Sequence, residues 1–305
     1  MEDNSLSIKN QYAKRALLII NPVSGKKTII KYVPNIIRTL MDAGYLVTTV
    51  VTSRRGEATD FTGELGQEYD LVCCTGGDGT LNEVVTGLAN ANACIPLGYI
   101  PCGSTNDFAA SHGLSVDIPS AIDAIVTKDI RTLDIGCFGE SYFSYVAAFG
   151  AFSWLSYTTD QNMKNKLGHT AYILDAIKDV YKIKPIHLKV TANGAEYEDD
   201  YIFGAVCNST SIAGTIVLPS NVVDTNDGKL EVMLIKMPKT ILELDMIIRG
   251  IFSQDYSCPL IDFFQAGEIE IDNPPGLEWA LDGECKVAYD KVLISTKRSF
   301  LHLKG

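Results

Sequence analysis

Three short segments carry the residue types that hold phosphate: Asn21-Pro22-Val23-Ser24-Gly25, Gly76-Gly77-Asp78-Gly79-Thr80 and Gly103-Ser104-Thr105-Asn106-Asp107. Each follows an apolar, strand-like run. Glycine has no Cβ, so it turns sharply and lets the backbone approach a ligand closely. In the second segment the amides of Gly79, Thr80 and Leu81 fall where a helix is expected to start. Unpaired N–H groups and the helix dipole make such a start an anion site. In the first, Ser24 and Gly25 offer a hydroxyl and an amide to a phosphate or ribose. A plain strand-to-helix turn uses the same residues, and the third segment also reads as an ordinary Ser/Thr helix cap. The combination is what points to phosphate, because loops at the carboxyl ends of parallel strands face one crevice. Neither a G-x-x-x-x-G-K-[ST] loop nor a G-x-G-x-x-G fingerprint is present. The residues alone reach a phosphate-binding α/β crevice suited to a nucleotide, and do not choose the reaction.

The elements that position these loops alternate up to about residue 130. Strands are expected at Ala16–Ile20, Tyr45–Val51, Leu71–Thr75 and Pro96–Ile100, and helices at Thr28–Ala43, Glu57–Leu65, Leu81–Ala91, Asn106–Ser111 and Pro119–Val126. That alternation is the signature of a parallel α/β sheet. Pro34 falls inside the first helical period and predicts a kink or a restart. After Ile130 strands follow strands: Arg131–Phe138, Tyr142–Phe149, Ile186–Thr191, Tyr201–Cys207, Leu230–Ile235, Ile269–Ile271, Glu278–Leu281 and Glu284–Tyr289. Helical patterns interrupt at Thr170–Tyr181 and Lys239–Phe252. The expected fold is therefore α/β with a parallel-sheet N-terminal domain and a mostly antiparallel β-rich C-terminal domain, the boundary lying near Asp129–Asp134.

The 305-residue chain is 46% hydrophobic and 21% charged, ordinary for a globular protein with a sizeable core. Its net charge of −11 argues against broad nucleic-acid binding and against simple electrostatic adhesion to anionic membranes. The eight cysteines form no C-x-x-C pair and read as reduced thiols, and the four histidines show no metal-ligand spacing. The polar N-terminus, Met1–Lys14, lacks the apolar core of a signal peptide. The apolar stretch Tyr142–Tyr157, broken by serines, falls short of the ~20 residues that span a bilayer. A cytoplasmic protein, at most peripherally membrane-associated, is expected.

At these motifs the chain resembles the diacylglycerol kinase catalytic-domain family, which includes bacterial soluble lipid kinases. Asn21–Gly25 looks like its N-P-x-[SA]-G, Gly76–Asn82 like its G-G-D-G-T-x-N, and Gly103–Asp107 like its G-[ST]-x-N-D. Asp134-Ile135-Gly136, Asp227-Gly228 and Leu281-Asp282-Gly283-Glu284 follow in the family's order, so the match covers nearly the whole chain. The resemblance implies a nucleotide-binding α/β domain (residues 1–130 with about 295–305) and a β-sandwich-like lipid-substrate domain (131–294), with the active cleft between them. It implies ATP and Mg²⁺, and transfer of a phosphoryl group to a hydroxyl of a membrane lipid, diacylglycerol first. ATP would be held by Asn21, Pro22, Val23, Ser24 and Gly25, by Thr52, by Gly76, Gly77, Asp78, Gly79, Thr80, Leu81 and Asn82, and by Ser104 or Thr105. Asp78 would act near Mg²⁺ and the phosphates, and Glu284 would be the general base. Asp227, with carbonyls of Asp224 and Lys229, would hold a second Mg²⁺. From the residues alone, Asp282-Gly283 reads first as a hairpin turn with Glu284 a plain strand residue, and Asp227-Gly228 reads equally as a hairpin turn.

Contact with lipid is expected from the aromatic run Tyr142–Tyr157, with Trp154 and Tyr157 at its end, and from Lys164, Lys166, Lys178, Lys182, Lys184 and Lys189. The same residues also read as core aromatics and a solvated helix face. A homodimer is an open expectation. The competing functions are an NAD kinase, which shares the G-G-D-G-T loop, and a catalytically silent lipid- or nucleotide-binding protein.

Overall fold

The computed structural model describes residues 13–24, 29–150, 183–212, 216–219, 221–288 and 290–305. The chain divides into two compact units. One comprises Met1–Ile135, Ser141–Ser144 and Lys297–Gly305, the other Gly136–Glu140 and Tyr145–Thr296.

In the first unit β1 (Lys14–Ile20), β2 (Tyr45–Val51), β3 (Leu71–Gly76) and β4 (Leu97–Pro101) form a parallel sheet in the order β2-β1-β3-β4. Leu303 and Lys304 add in parallel beside β4. Both faces of β1 are covered, as a central parallel strand requires. Ala16, Leu18 and Ile20 pack with Ile36 and Leu40 of the Val33–Asp42 helix and with Ile122 and Ile125 of the Ile118–Thr127 helix. Leu17 and Ile19, alternating with them, are also fully buried. The Asp78–Asn90 helix buries Leu81, Val84, Val85 and Leu88 and runs beside the Glu57–Leu65 helix. A Cβ on Gly87 would come within 2.5 Å of the Thr59 carbonyl oxygen, so glycine permits that close helix pairing.

The chain leaves through β5 (Ile130–Phe138) and β6 (Ser141–Phe143). The second unit is antiparallel. Its strands are β7 (Val146–Gly150), β8 (Ile186–Ala192), β9 (Ala195–Cys207), β10 (Ser211–Ile212), β11 (Ile216–Val217), β12 (Leu230–Lys236), β13 (Ile261–Ala266), β14 (Glu268–Asp272), β15 (Glu278–Leu281), β16 (Glu284–Val287) and the start of β17 (Lys291–Lys304). The path runs β16-β15-β7-β9-β8-β14-β17, with β12 on β9, β13 on β12, and β10 paired with β11. Tyr201–Phe203 of β9 and Val232–Met233 of β12 are fully buried, so this sheet is covered on both faces. The Ile241–Ser253 helix opens with a reciprocal cap between Thr240 and Glu243 and buries Leu244, Ile247, Ile248 and Ile251. Among the described residues no helix is long and apolar enough to cross a membrane.

The expected parallel-then-antiparallel fold is what the structure shows. Pro34 marks a restart: a short 3₁₀ turn at Ile29–Lys31 precedes the helix at Val33, with the proline in its first turn, where it costs no hydrogen bond. The single strand expected over Tyr142–Phe149 is two strands, because the Tyr145 and Val146 amides donate to the Asp282 carboxylate. The expected Thr170–Tyr181 helix, Trp154, Tyr157 and the lysines 164–182 lie outside the described residues. Lys189 lies on β8, paired with Glu196 at 2.8 Å.

Candidate active site

The adjacent parallel strands β1, β3 and β4 end in the three glycine-containing loops, and the strand ladder continues into them. Asn21 N donates to Thr75 O at 3.0 Å, and Cys102 N donates to Gly76 O at 2.7 Å. The Asn21 side chain donates from Nδ2 to Thr80 Oγ1 at 2.8 Å and accepts from Val23 N at 3.1 Å. It therefore ties the first loop to the second and folds the first back on itself. Pro22, Val23 and Ser24 continue that loop, Val23 being two-thirds exposed, and Gly25 lies outside the described residues. Thr52, just after β2, is buried, and both its amide and its hydroxyl donate to Ile20 O.

The second and third loops touch backbone to backbone. A Cβ on Gly77 would sit 3.1 Å from Gly103 Cα, and one on Gly103 would sit 2.7 Å from Gly77 Cα. A Cβ on Gly76 would meet Thr80 at 2.5 Å. Asn106, at φ 55°, accepts from Gly103 N through Oδ1 at 2.8 Å and donates from Nδ2 to Gly103 O at 3.1 Å, closing the third loop. Ser104 and Thr105 form its exposed crest, so either hydroxyl is presented outward.

The helix after the second loop begins at Asp78, with extended Gly77 as its N-cap. Leu81 N donates to Gly77 O at 3.1 Å. The helix thus starts three residues before the expected position, and the Leu81 amide closes the first turn instead of reaching a ligand. The amides ahead of that first intrahelical bond are those of Asp78, Gly79 and Thr80. Asn82 donates from Nδ2 to Tyr142 O at 3.2 Å.

Asp78 has a second task that sequence reasoning missed. Its Oδ2 accepts from Asp107 N at 3.1 Å and its Oδ1 from Phe108 N at 3.2 Å. It caps the Asp107–Ser111 helix from another segment of the chain. Burial, with the nearby Asp78 charge adding to it, raises the Asp107 carboxyl above its ordinary range. Two crowded carboxylates beside free helix amides suit a triphosphate with a hard divalent cation, whose charge relieves the repulsion. Glu83 was also missed: its carboxylate accepts from Gly56 N at 2.8 Å and Ala58 N at 3.2 Å and so holds the loop after β2.

In the second unit Leu281 pairs with Glu284 across a two-residue turn, Asp282 at φ 48° and Gly283 at φ 87°. Two positive φ values define the type I′ geometry that Asp-Gly favours. Asp224 accepts from Asn226 N at 3.0 Å and Asp227 from Lys229 N at 2.9 Å, so both acids also shape their own turns. Among the described residues no group of three or more His, Cys, Asp or Glu is placed to hold a metal. A buried acid that sequence reasoning missed lies near them. Glu231 on β12 is 1% exposed, accepts from Gln265 Nε2 at 3.0 Å, and has no partner at Oε2. Burial raises its carboxyl to about 7, with the charges of Asp227 and Asp224 contributing. Its only sequence signal is a lone acid in the apolar run Leu230–Ile235.

Comparison with known proteins agrees with this architecture. The diacylglycerol kinase catalytic domain matches residues 15–138, and the YegS C-terminal NAD kinase beta sandwich-like domain matches residues 151–293. A diacylglycerol kinase of Bacillus subtilis (strain 168) is 31% identical over 276 residues, 89% of this chain and 90% of that protein. A diacylglycerol kinase of Staphylococcus saprophyticus is 30% identical over 277 residues, 89% of each chain. A solved structure from Bacillus anthracis str. Sterne shares the fold, with TM-score 0.77 and 24% identity over 95% of this chain and 97% of that one. Two matched domains in this order, with relatives this similar over most of their length, mean that the chain belongs to the diacylglycerol kinase catalytic-domain family.

Proposed function

We propose that this chain is an ATP- and Mg²⁺-dependent lipid kinase that phosphorylates a hydroxyl of a membrane lipid, with diacylglycerol the leading acceptor and phosphatidic acid the product. The observation that carries the proposal is the Gly76–Thr80 loop, whose Gly77 backbone packs against Gly103 of the third loop beside a helix start with no side-chain cap and the Asp78–Asp107 pair. The names of the B. subtilis and Staphylococcus relatives support the choice of acceptor.

In this reading the amides of Asp78, Gly79 and Thr80 bind the triphosphate, and Ser24 and Ser104 or Thr105 add hydroxyls. Asp78 and Asp107 are the carboxylates that would hold Mg²⁺, which would supply positive charge to offset that of the phosphates. The lipid hydroxyl oxygen attacks the γ-phosphorus, the bond to the β,γ-bridging oxygen breaks, and ADP leaves. Glu284 takes the hydroxyl proton. A second cation at Asp227, with the Asp224 and Lys229 carbonyls, is part of the proposal, and the orphan Glu231 oxygen nearby is the observation that favours it. Peripheral membrane contact follows from a substrate that resides in the bilayer.

The test is phosphorylation of a lipid array by purified protein with labelled ATP and Mg²⁺, with NAD as a parallel acceptor. A labelled lipid supports the reading. Labelled NAD, with every lipid unlabelled, would replace it with an NAD kinase.

A further inference from the structure

The hairpin that presents Glu284 has an unusual tip. Asp282 is a charged residue, yet it is 3% exposed. Its Oδ1 accepts from Tyr145 N at 3.1 Å and Val146 N at 3.0 Å. Its own amide donates to Val146 O at 2.8 Å. The β15–β7 pairing ends at Leu281 with Ala147, so Asp282 carries the ladder one residue further, using its side chain where a strand would use its backbone. An ordinary Asp-Gly turn needs none of this, because its tip projects into solvent.

The surroundings show what the contact fixes. The far end of β15 is anchored by Trp279, 1% exposed, between Phe138 and Phe149, with its ring nitrogen on Asn273 Oδ1 at 3.2 Å. The strand Asp282 grips is itself held: Tyr145 O accepts from Asn208 N at 3.0 Å, and Asn208 Nδ2 donates to Thr225 O at 3.2 Å. Glu284 opens β16, whose Cys285, Lys286 and Val287 are exposed and which ends the strand path. Glu284 pairs with Leu281 directly across the turn, so the path of its backbone is set by β15 and by the turn two residues before it.

We propose that Asp282 is a positioning residue for the Glu284 carboxylate, its side chain locking the hairpin tip onto the Tyr145–Val146 amides. This rests on the assignment of Glu284 as the base. Bases must sit within a fraction of an ångström of their productive place, so a loosened tip lowers turnover without weakening nucleotide binding.

The test compares Asp282→Gly, Asp282→Asn, Glu284→Gln and the double variant Asp282→Gly/Glu284→Gln. It uses full-length protein, ATP, Mg²⁺ and dioctanoylglycerol in mixed micelles, with folding checked by thermal melts. Glycine accepts the positive φ of the turn but removes the acceptor; asparagine keeps both. Asp282→Gly is expected to lower kcat at least about tenfold with KM for ATP within about twofold, while Asp282→Asn recovers most of the loss. The double variant is expected to be no slower than Glu284→Gln alone, because a residue acting through another adds nothing once that one is gone. If Asp282→Gly keeps near-normal kcat while Glu284→Gln is inactive, the base assignment stands and the positioning role falls. If Glu284→Gln stays active, the base assignment itself falls. An Asp282→Asn variant as slow as Asp282→Gly would also overturn the proposal, since the carboxylate charge and not the acceptor would then matter.

Discussion

Replacing Asp78 separates the capping contacts that the structure shows from the cation- and phosphate-binding role proposed for the same side chain. Its carboxylate accepts two backbone amides at the start of the Asp107–Ser111 helix, at 3.1 and 3.2 Å, and it lies beside Asp107 where a cation and phosphates are proposed to bind. A hydrogen bond to a charged acceptor contributes about 1.5–3 kcal/mol, and partial exposure puts these two bonds together near the low end, about 2 kcal/mol. Asp78→Ala is then expected to lower Tm by about 5 °C. Asp78→Asn retains one side-chain oxygen, so it keeps one of the two bonds and is expected to lose about half as much stability. Turnover does not follow stability: both variants lose the charge, and both are expected to lose at least about a hundredfold in kcat. The assay pairs thermal melts with turnover of dioctanoylglycerol by the same preparations. If Asp78→Ala melts with the wild type, the capping argument is wrong. If Asp78→Asn retains a third or more of kcat, the carboxylate charge has no part in the transfer.

Two further outcomes follow from the first unit. Gly103→Ala places a Cβ 2.7 Å from Gly77 Cα and 2.8 Å from Asn106 Oδ1, so the loops must separate; fluorescent-nucleotide titration is expected to show at least about tenfold weaker ATP binding, and unchanged affinity would remove the loop pair from the site. His112 is 8% exposed and packed on Phe108, and burial, helped by Arg131, lowers its ring from the ordinary 6.5 to about 4. The unfolded chain takes up that proton first, so the neutral ring's stability is complete above pH 6.5 and is lost as pH falls toward 4, about 3 kcal/mol in all. His112→Phe keeps the packing and drops the buried ring nitrogen that has no partner. Its denaturation midpoint is expected to fall less than the wild type's between pH 7 and pH 4.5, and parallel curves would contradict the burial argument.

Much of the fold was legible because it rests on local periodicity. Tyr45–Val51 and Glu57–Leu65 have the bounds expected from their sequence pattern, since local residues set where each element starts and stops. Errors arose where a distant partner decides. The Asp78 helix starts before its first apolar residue because extended Gly77 caps it. The break at Ser144-Tyr145 depends on an aspartate 137 residues away in sequence. β13 was missed because Ile261–Ala266 does not alternate cleanly.

The loops of the candidate site were visible as glycine and hydroxyl clusters, but what holds them was not. Asp78 capping a later helix, Glu83 holding the Gly56 loop and Glu231 buried beside the Asp224 and Asp227 turns all involve side chains whose partners come from other segments. Spacing along the chain carries no trace of such pairs. The Asp282-Gly283 turn was read from its dipeptide, whereas the burial of its carboxylate came only with the fold.

The fate of the γ-phosphate tests the lipid-kinase assignment most directly. Purified protein incubated with γ-labelled ATP, Mg²⁺ and dioctanoylglycerol should yield a labelled phosphatidic acid by thin-layer chromatography, and Glu284→Gln at equal concentration should yield almost none. Label that remains in ATP, or appears only as inorganic phosphate with every lipid tested, would contradict the assignment of this chain as a lipid kinase.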